Sequence, residues 1–451
     1  MYRRGLLGKQ EKWLMEYESS MEEDREITLE VITTLKVHVK ELKEQKLISE
    51  EQCEKIIKAL EILEKEQDRI FKNEAEDIHE AIEIELEKIL GEEAKIISLG
   101  KSRNDHVATA IKLHIKSELN TIISEIIRLR IILLGKAEEN IETIMPSFTH
   151  LQSAQPITLA HYLLYIEEEM EEYQKILEYI RNEIIDKSPL GSGAIAGSIV
   201  NMDRIRMAEN LGMKNIDVNT IKATGSRSFM IIVSSILTAL QVTLSRIAED
   251  LIIWSTNQFN YIQLPDGHLA TSSLMPHKKN PVTMEVMRAQ AGEAIGENTA
   301  IMSIIKGLPS GYNLDLQEAT KHLWNITRNL KNSLKVISDA IKDMKINARR
   351  MRQDAENNPI IAAEVVEYIS IKFGIPHRKA HEIMAEALKE AKSDIYEAIR
   401  IISGKIGLTN KIPTRVQEYI NIKGNIGSPN PQQIMKIIEE KRRIIQQNNF
   451  M

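Results

Sequence analysis

The stretch from Ser228 to Ser245, SFMIIVSSILTALQVTLS, runs for 18 positions without a charged side chain. That is about the shortest apolar run that spans a bilayer as a helix. Ser, Thr and Gln recur along it, and Arg227 and Arg246 flank it with no aromatic belt at either end. The pattern therefore predicts a helix apolar on all sides, buried in the middle of a large helical bundle rather than in lipid. A helix of this kind needs neighbours all round, which points to association between copies of the chain.

Outward from that helix, apolar residues recur at three- and four-residue spacing through 26–44, 50–67, 76–90, 105–139, 157–185, 281–306 and 320–343, and the central helix extends to 228–258. Glycine and proline are sparse, and alternation of the strand type is hard to find. The fold class read from this is all-α, with helices long enough for a bundle. Gly100 and Lys101 break the pattern before the long helix that opens at Asn104 or Asp105, and the polar run Ala348 to Pro359 breaks it again. Three domains are expected: an N-terminal helical domain (1–103), a central long-helix bundle (104–350) and a C-terminal helical domain (351–451).

With 451 residues, 43% of them hydrophobic, the chain can bury a large core. A net charge of −6 with no dense basic block argues against nucleic acid or a membrane surface as a partner. Cys53 is the only cysteine, which excludes an internal disulfide and a thiolate zinc cluster and fits a reducing, cytoplasmic compartment. The N-terminal MYRRGLLGKQEKW has two arginines but no apolar run, so no signal peptide is expected.

Three polar islands interrupt the helices. The first, Ser102-Arg103-Asn104-Asp105-His106, sits where a long helix begins; Asn or Asp is a natural N-cap, and a helix N-terminus beside Arg103 and Ser102 suits a carboxylate. A plain helix cap explains the island equally well when it is taken alone. The second, Ser147 to Gln152 with Gln155-Pro156, places Thr149 beside His150, an imidazole being the side chain most readily tuned for proton transfer near neutrality. A single loop histidine is more often structural, so His150 needs a partner.

The third island, TSSLMPHKKNP at 271–281, lies in a connection of a length uncommon inside a compact domain unless functional. Asn280-Pro281 reads as N-cap and first helical residue, which puts Lys278 and Asn280 at a helix N-terminus where donors converge on an oxyanion. A solvated basic turn is the bland alternative. Two other patterns are set aside. Gly191-Ser-Gly-Ala-Ile-Ala-Gly197 lacks the βαβ surroundings of a dinucleotide site, and His377 and His381 have zinc-ligand spacing without a third ligand set.

Taken together and in order, these segments resemble the argininosuccinate lyase family of the fumarase/aspartase superfamily, in an archaeal-like form. The resemblance rests on SSMEED at 19–24, EDIH at 76–79, SRND at 102–105, THLQSAQP at 149–156, SPLGSGAIAG at 188–197, SSLMPHKKNP at 272–281 and KGLPSGYNLDLQE at 306–318. It implies reversible β-elimination of argininosuccinate to arginine and fumarate, the last step of arginine biosynthesis, with no metal or organic cofactor. It also implies a three-domain subunit in a homotetramer whose active sites each draw on three chains. Sister reactions, such as adenylosuccinate cleavage, and a catalytically idle crystallin-like protein are the alternatives.

By the same resemblance Ser272 and His150 are the catalytic pair, Lys278 serves the developing charge, and Glu285 is the acid that partners the histidine. Ser20, Asn104, Thr149, Asn280, Tyr312 and Gln317 match substrate-binding positions, with Ser102 and Arg103 as additional carboxylate ligands. The residues alone leave the direction of proton transfer open; Ser272 as base and His150 as acid is the direction adopted. The chain departs from the family pattern at three places. Thr271 stands where Gly is usual, which implies a stiffer loop. Thr320 stands where a substrate-binding Lys is usual, with Lys321 one residue on, about 100° further round a helix, so either Lys321 reaches back to bind substrate or that contact is lost. Ser228 stands where an Asp usually follows the Arg at 227.

Overall fold

The structure is a computed structural model describing residues 10–407 and 411–448; residues 1–9, which open the segment read for a signal peptide, lie outside it. The helices expected from periodicity are present, with ends shifted by a few residues. The long ones are Arg103–Glu139, Leu159–Ile180, Ser228–Ser255, Val282–Ile305 and Asp315–Asp343. The last starts five residues earlier than its apolar pattern, because Asp315 and Glu318 supply an acidic first turn that favours the positive end of the helix dipole. In Ser228–Ser255, 56% of the most apolar window is buried by the chain itself, as a bundle helix requires.

Contacts divide the chain into two units, residues 1–123, 175–241 and 290–331 in the first and 124–174, 242–289 and 332–451 in the second. In the first unit, Thr28–Glu44 packs on Glu50–Lys65, which packs in turn on Ile78–Leu90. Val31, Leu35, Leu42, Ile56, Leu60, Ile82 and Leu86 are almost wholly buried at the three- and four-residue spacings that put them on facing stripes. Each such side chain contributes about 1.5–3 kcal/mol of burial. Ser49 and Gln52 form a reciprocal capping box on the second helix, and Asp77 caps the third by accepting from Glu80 N–H at 2.8 Å.

Three imidazoles lie inside this unit. His38, His79 and His106 are each 2% exposed or less, and the His38 and His106 rings meet edge to face at 5.1 Å. Among the described residues neither ring nitrogen of His79 or His106 has a hydrogen-bond partner. Burial, with the Lys101 ammonium nearby, lowers the His38 pKa to about 4, and burial holds His79 and His106 well below the usual range. A depressed folded-state pKa leaves stability whole above about 6.5 and removes it as pH falls from there toward 4. His38 alone is worth about 3 kcal/mol over that window. Urea unfolding at pH 7 and pH 4.5 should show this loss, and His38→Gln should make it smaller; an unchanged pH dependence in the variant would remove His38 as its source.

In the second unit, the C-terminal helices Ala362–Phe373, His377–Glu390, Ile395–Lys405 and Val416–Ile422 enclose Val365, Ile369, Met384, Ile399, Ile402 and Tyr419. Arg130, 1% exposed, donates to Glu167 at 2.8 Å and Gln174 at 2.7 Å inside the same unit.

Four short two-stranded ladders occur among the described residues, where periodicity predicts none. The largest is the hairpin Ile144–Thr149 with Gln152–Thr158. Two prolines and a register shift between Pro146 and Phe148 erase the alternation by which it could have been read.

Candidate active site

The predicted site residues fall into two groups, one in each unit. In the first unit Ser102, rather than Asn104 or Asp105, occupies the cap of Arg103–Glu139. Its hydroxyl accepts from Asn104 N–H at 3.3 Å, while Asp105 returns the bond by accepting from Ser102 N–H at 3.2 Å. The other Asp105 oxygen accepts from Gly191 and Gly193 N–H, both at 3.0 Å. The glycine-rich segment thus does cradle an anion, but the anion is the chain's own carboxylate. Gly193 stands at φ +61°, and a Cβ there would lie 2.5 Å from the Gly197 carbonyl oxygen, which is why the segment needs glycine. Burial pushes the Asp105 carboxyl up to about 7, while its backbone donors pull the other way.

Because Ser102 caps the helix, the Asn104 amide is available to reach across to the Ala194 carbonyl at 3.1 Å. Arg103 donates to Asp77 at 2.5 Å and has Glu76 at 3.9 Å. Ser20 N–H and the Ser19 hydroxyl both bond the Glu76 carbonyl, and the Ser20 hydroxyl donates to Asp24 at 2.7 Å. The Gln317 amide donates to the Glu18 carbonyl at 3.0 Å. These bonds tie four distant motifs together: Gln317 to the segment at 18–20, that segment to Glu76, and the adjoining Asp77 to Arg103. Tyr312 lies partly buried in this unit, and burial raises its phenol pKa. Thr320 is buried and its hydroxyl donates to its own helix at Gln317 O, while Lys321 pairs with Glu318 at 2.6 Å. In this conformation both cations expected to bind substrate here, Arg103 and Lys321, have carboxylate partners within the chain.

In the second unit His150 stands at the tip of the hairpin. His150 (φ 54°) and Leu151 (φ 59°) are the two loop residues between Thr149 and Gln152, an arrangement with the positive φ pair of a type I′ turn. Left-handed backbone at non-glycine residues costs about 1–3 kcal/mol each and persists where the surroundings enforce it. Here the ladder does so, helped by the Ser147 hydroxyl, which accepts from Gln155 N–H and donates to Gln155 O. Phe148 packs edge to face on Phe259 at 5.7 Å, and the Gln155 amide donates to Glu364 at 3.0 Å, itself paired with Lys423 at 2.7 Å. The base of the hairpin is anchored; its tip, with Thr149 and the His150 imidazole, is exposed.

The third island also forms a closed loop. Ala270–Thr271 pairs antiparallel with Lys279–Asn280, leaving Ser272 to Lys278 between them. Asn280 is therefore a strand residue and the helix starts at Val282, with Pro281 O accepting from Met284 and Glu285 N–H. Thr271 sits in extended backbone that suits a β-branched residue. The Ser272 hydroxyl oxygen accepts from the backbone N–H of Leu274 (3.3 Å) and Met275 (3.1 Å), and Ser272 N–H donates to Lys278 O. Two N–H dipoles aimed at one oxygen favour its anionic form over its neutral one.

A residue missed by sequence reading anchors this loop. His268, 5% exposed, places Nδ1 2.9 Å from the Thr283 hydroxyl and Nε2 3.0 Å from Asp339. Nothing local marks it, since Asp339 is 71 residues away. Lys278 and Glu285 are exposed. Among the described residues no hydrogen bond or ion pair joins His150 to Ser272, Lys278 or Glu285 within one chain.

The protein family described as lyase matches residues 6–296. An argininosuccinate lyase of Pyrococcus furiosus is 46% identical over 450 residues, 99% of this chain and 96% of the relative. The chain belongs to the argininosuccinate lyase family. With the family comes the class, a carbon–nitrogen lyase. The argininosuccinate lyase of Sulfolobus acidocaldarius is 42% identical and covers 98% of this chain and 92% of its own. Among solved structures, EDDS lyase in complex with formate matches with a TM-score of 0.83 at 22% identity, covering 94% of this chain and 87% of that one. A class II fumarase from Schistosoma mansoni matches at 0.76 and 16% identity, covering 89% and 91%. At these identities the structural likeness shows the fold alone, one shared with EDDS lyase and class II fumarase.

Proposed function

We propose that the protein cleaves argininosuccinate to arginine and fumarate by β-elimination. The observation that carries the reaction type is the Ser272 hydroxyl held under two backbone N–H donors in a loop that also bears Lys278. As an alkoxide, Ser272 takes the proton from the carbon beside a substrate carboxylate. The electron pair moves into that carboxylate, which becomes a doubly charged aci-carboxylate stabilised by Lys278 and Asn280. It then returns to form the carbon–carbon double bond, and the C–N bond breaks with its pair going to the guanidinium nitrogen, which takes a proton from His150. Glu285 sets the tautomer and basicity of that imidazole.

His150 has an exposed position and no side-chain partner among the described residues, so its meeting with Glu285 and Ser272 takes place between copies. A cytoplasmic homotetramer of three-domain subunits (1–103, 104–350, 351–451), each site drawing on three chains, satisfies this. Ser20, Ser102, Arg103, Asn104, Tyr312, Gln317 and Lys321 then recognise substrate from one copy, Thr149 from a second and Asn280 from a third.

The purified protein should release fumarate from argininosuccinate and not from adenylosuccinate. The reverse preference would reassign the substrate, and a well-folded oligomer that cleaves neither would make it a structural homologue.

A further inference from the structure

Arg227 lies in the first unit, in the short link between the helix Thr220–Gly225 and the start of the helix Ser228–Ser255, and it is 2% exposed. Its Nη1 donates to the carbonyls of Thr224 (3.1 Å) and Ser226 (3.2 Å), but Nε and Nη2 are buried without a partner. Burial lowers its pKa to about 10, an effect eased slightly by Tyr312 and by no carboxylate. Lys112, whose charge Arg227 feels, has its own partner: Asp217 is shared by Lys112 at 2.5 Å and Lys222 at 2.7 Å. Ser228, where the family usually has Asp, supplies no charge. A buried cation without a counter-ion costs several kcal/mol, a cost met when an anion binds.

The neighbours of Arg227 are substrate-site residues. A Cβ on Gly225 would lie 2.5 Å from the Gly311 carbonyl carbon, so this link packs directly on the turn that presents Tyr312. Ile195, next to the Ala194 that Asn104 bonds, touches the same turn. The other cations of this region are paired: Arg103 with Asp77, Lys321 with Glu318, Lys101 with Glu83 and Lys112 with Asp217.

We propose that Arg227 is a carboxylate-binding residue of this site, its free N–H groups receiving the α-carboxylate of the amino-acid half of the substrate. The assignment rests on the argininosuccinate reading. The reacting half carries its own carboxylates to Lys278 and Asn280, so the non-reacting carboxylate is the one left for Arg227. It thereby takes over the charge that Thr320 lacks.

The test compares binding of arginine with that of agmatine, which is arginine without its carboxylate, by calorimetry on the intact protein. Wild type should prefer arginine by about tenfold to a hundredfold, the worth of a charge-assisted pair of bonds. Arg227→Met should lose most of that preference through weaker arginine binding alone, with KM for argininosuccinate raised more than kcat is lowered. Without ligand it should melt no lower than wild type, because a lone buried charge is gone. Arg227→Lys should keep a partial preference. A preference retained in Arg227→Met, or equal loss of arginine and agmatine binding with a lower melting temperature, would overturn the assignment and leave Arg227 structural. A wild type that neither binds arginine nor releases fumarate would overturn it together with the argininosuccinate reading.

Discussion

Ser272→Ala should lower turnover of argininosuccinate by about two to four orders of magnitude, the usual weight of a general base. The hydroxyl holds its two N–H donors within the loop, yet the loop ends are fixed by the 270–271 with 279–280 ladder and by His268, so the fold should survive. His150→Asn should lose a similar factor, and it is a cleaner probe than it looks. Asn is among the residues best suited to left-handed backbone in a type I′ turn, so the substitution should hold or raise hairpin stability while removing the proton donor. Circular dichroism and assembly size should match the parent in both variants. Near-full turnover in either would withdraw that residue from the chemistry.

Lys278→Met is the second large effect. The side chain is exposed and makes no hydrogen bond or ion pair among the described residues, while its backbone N–H and carbonyl hold the loop turn and are untouched by the change. Loss of one preorganised donor to a developing oxyanion costs about 10²–10³ in kcat. Since the charge it meets exists mainly in the transition state, kcat should fall with KM nearly unchanged. A rise in KM at constant kcat would show instead that Lys278 binds the ground state.

The helices were legible because each buries a stripe at helical spacing, and Ser228–Ser255 was legible through its lack of charge. The hairpin was not, since its alternation is broken by Pro146 and Pro156 and its turn carries His150-Leu151 in place of Asn-Gly. The site motifs were legible as residues; their partners were not. Asp77 takes Arg103 from 26 positions away, Asp105 takes the N–H groups of a segment 86 positions on, and Asp339 takes His268, contacts that only the packed fold creates. The standing of Arg227 shows the same limit. Among the described residues no carboxylate pairs with it, and that is a property of the fold rather than of its neighbours in sequence.

Mixing the two catalytic variants tests the central claim, that the Ser272 loop and the His150 hairpin of different copies form one active site. Ser272→Ala and His150→Asn subunits, each nearly inactive alone, are dissociated, combined and reassembled, with exchange verified by native mass spectrometry. Mixed assemblies should regain fumarate release far above either parent, because some sites then combine an intact loop from one copy with an intact hairpin from another. Mixed assemblies as inactive as their parents would place both residues of a site in the same chain and contradict that claim.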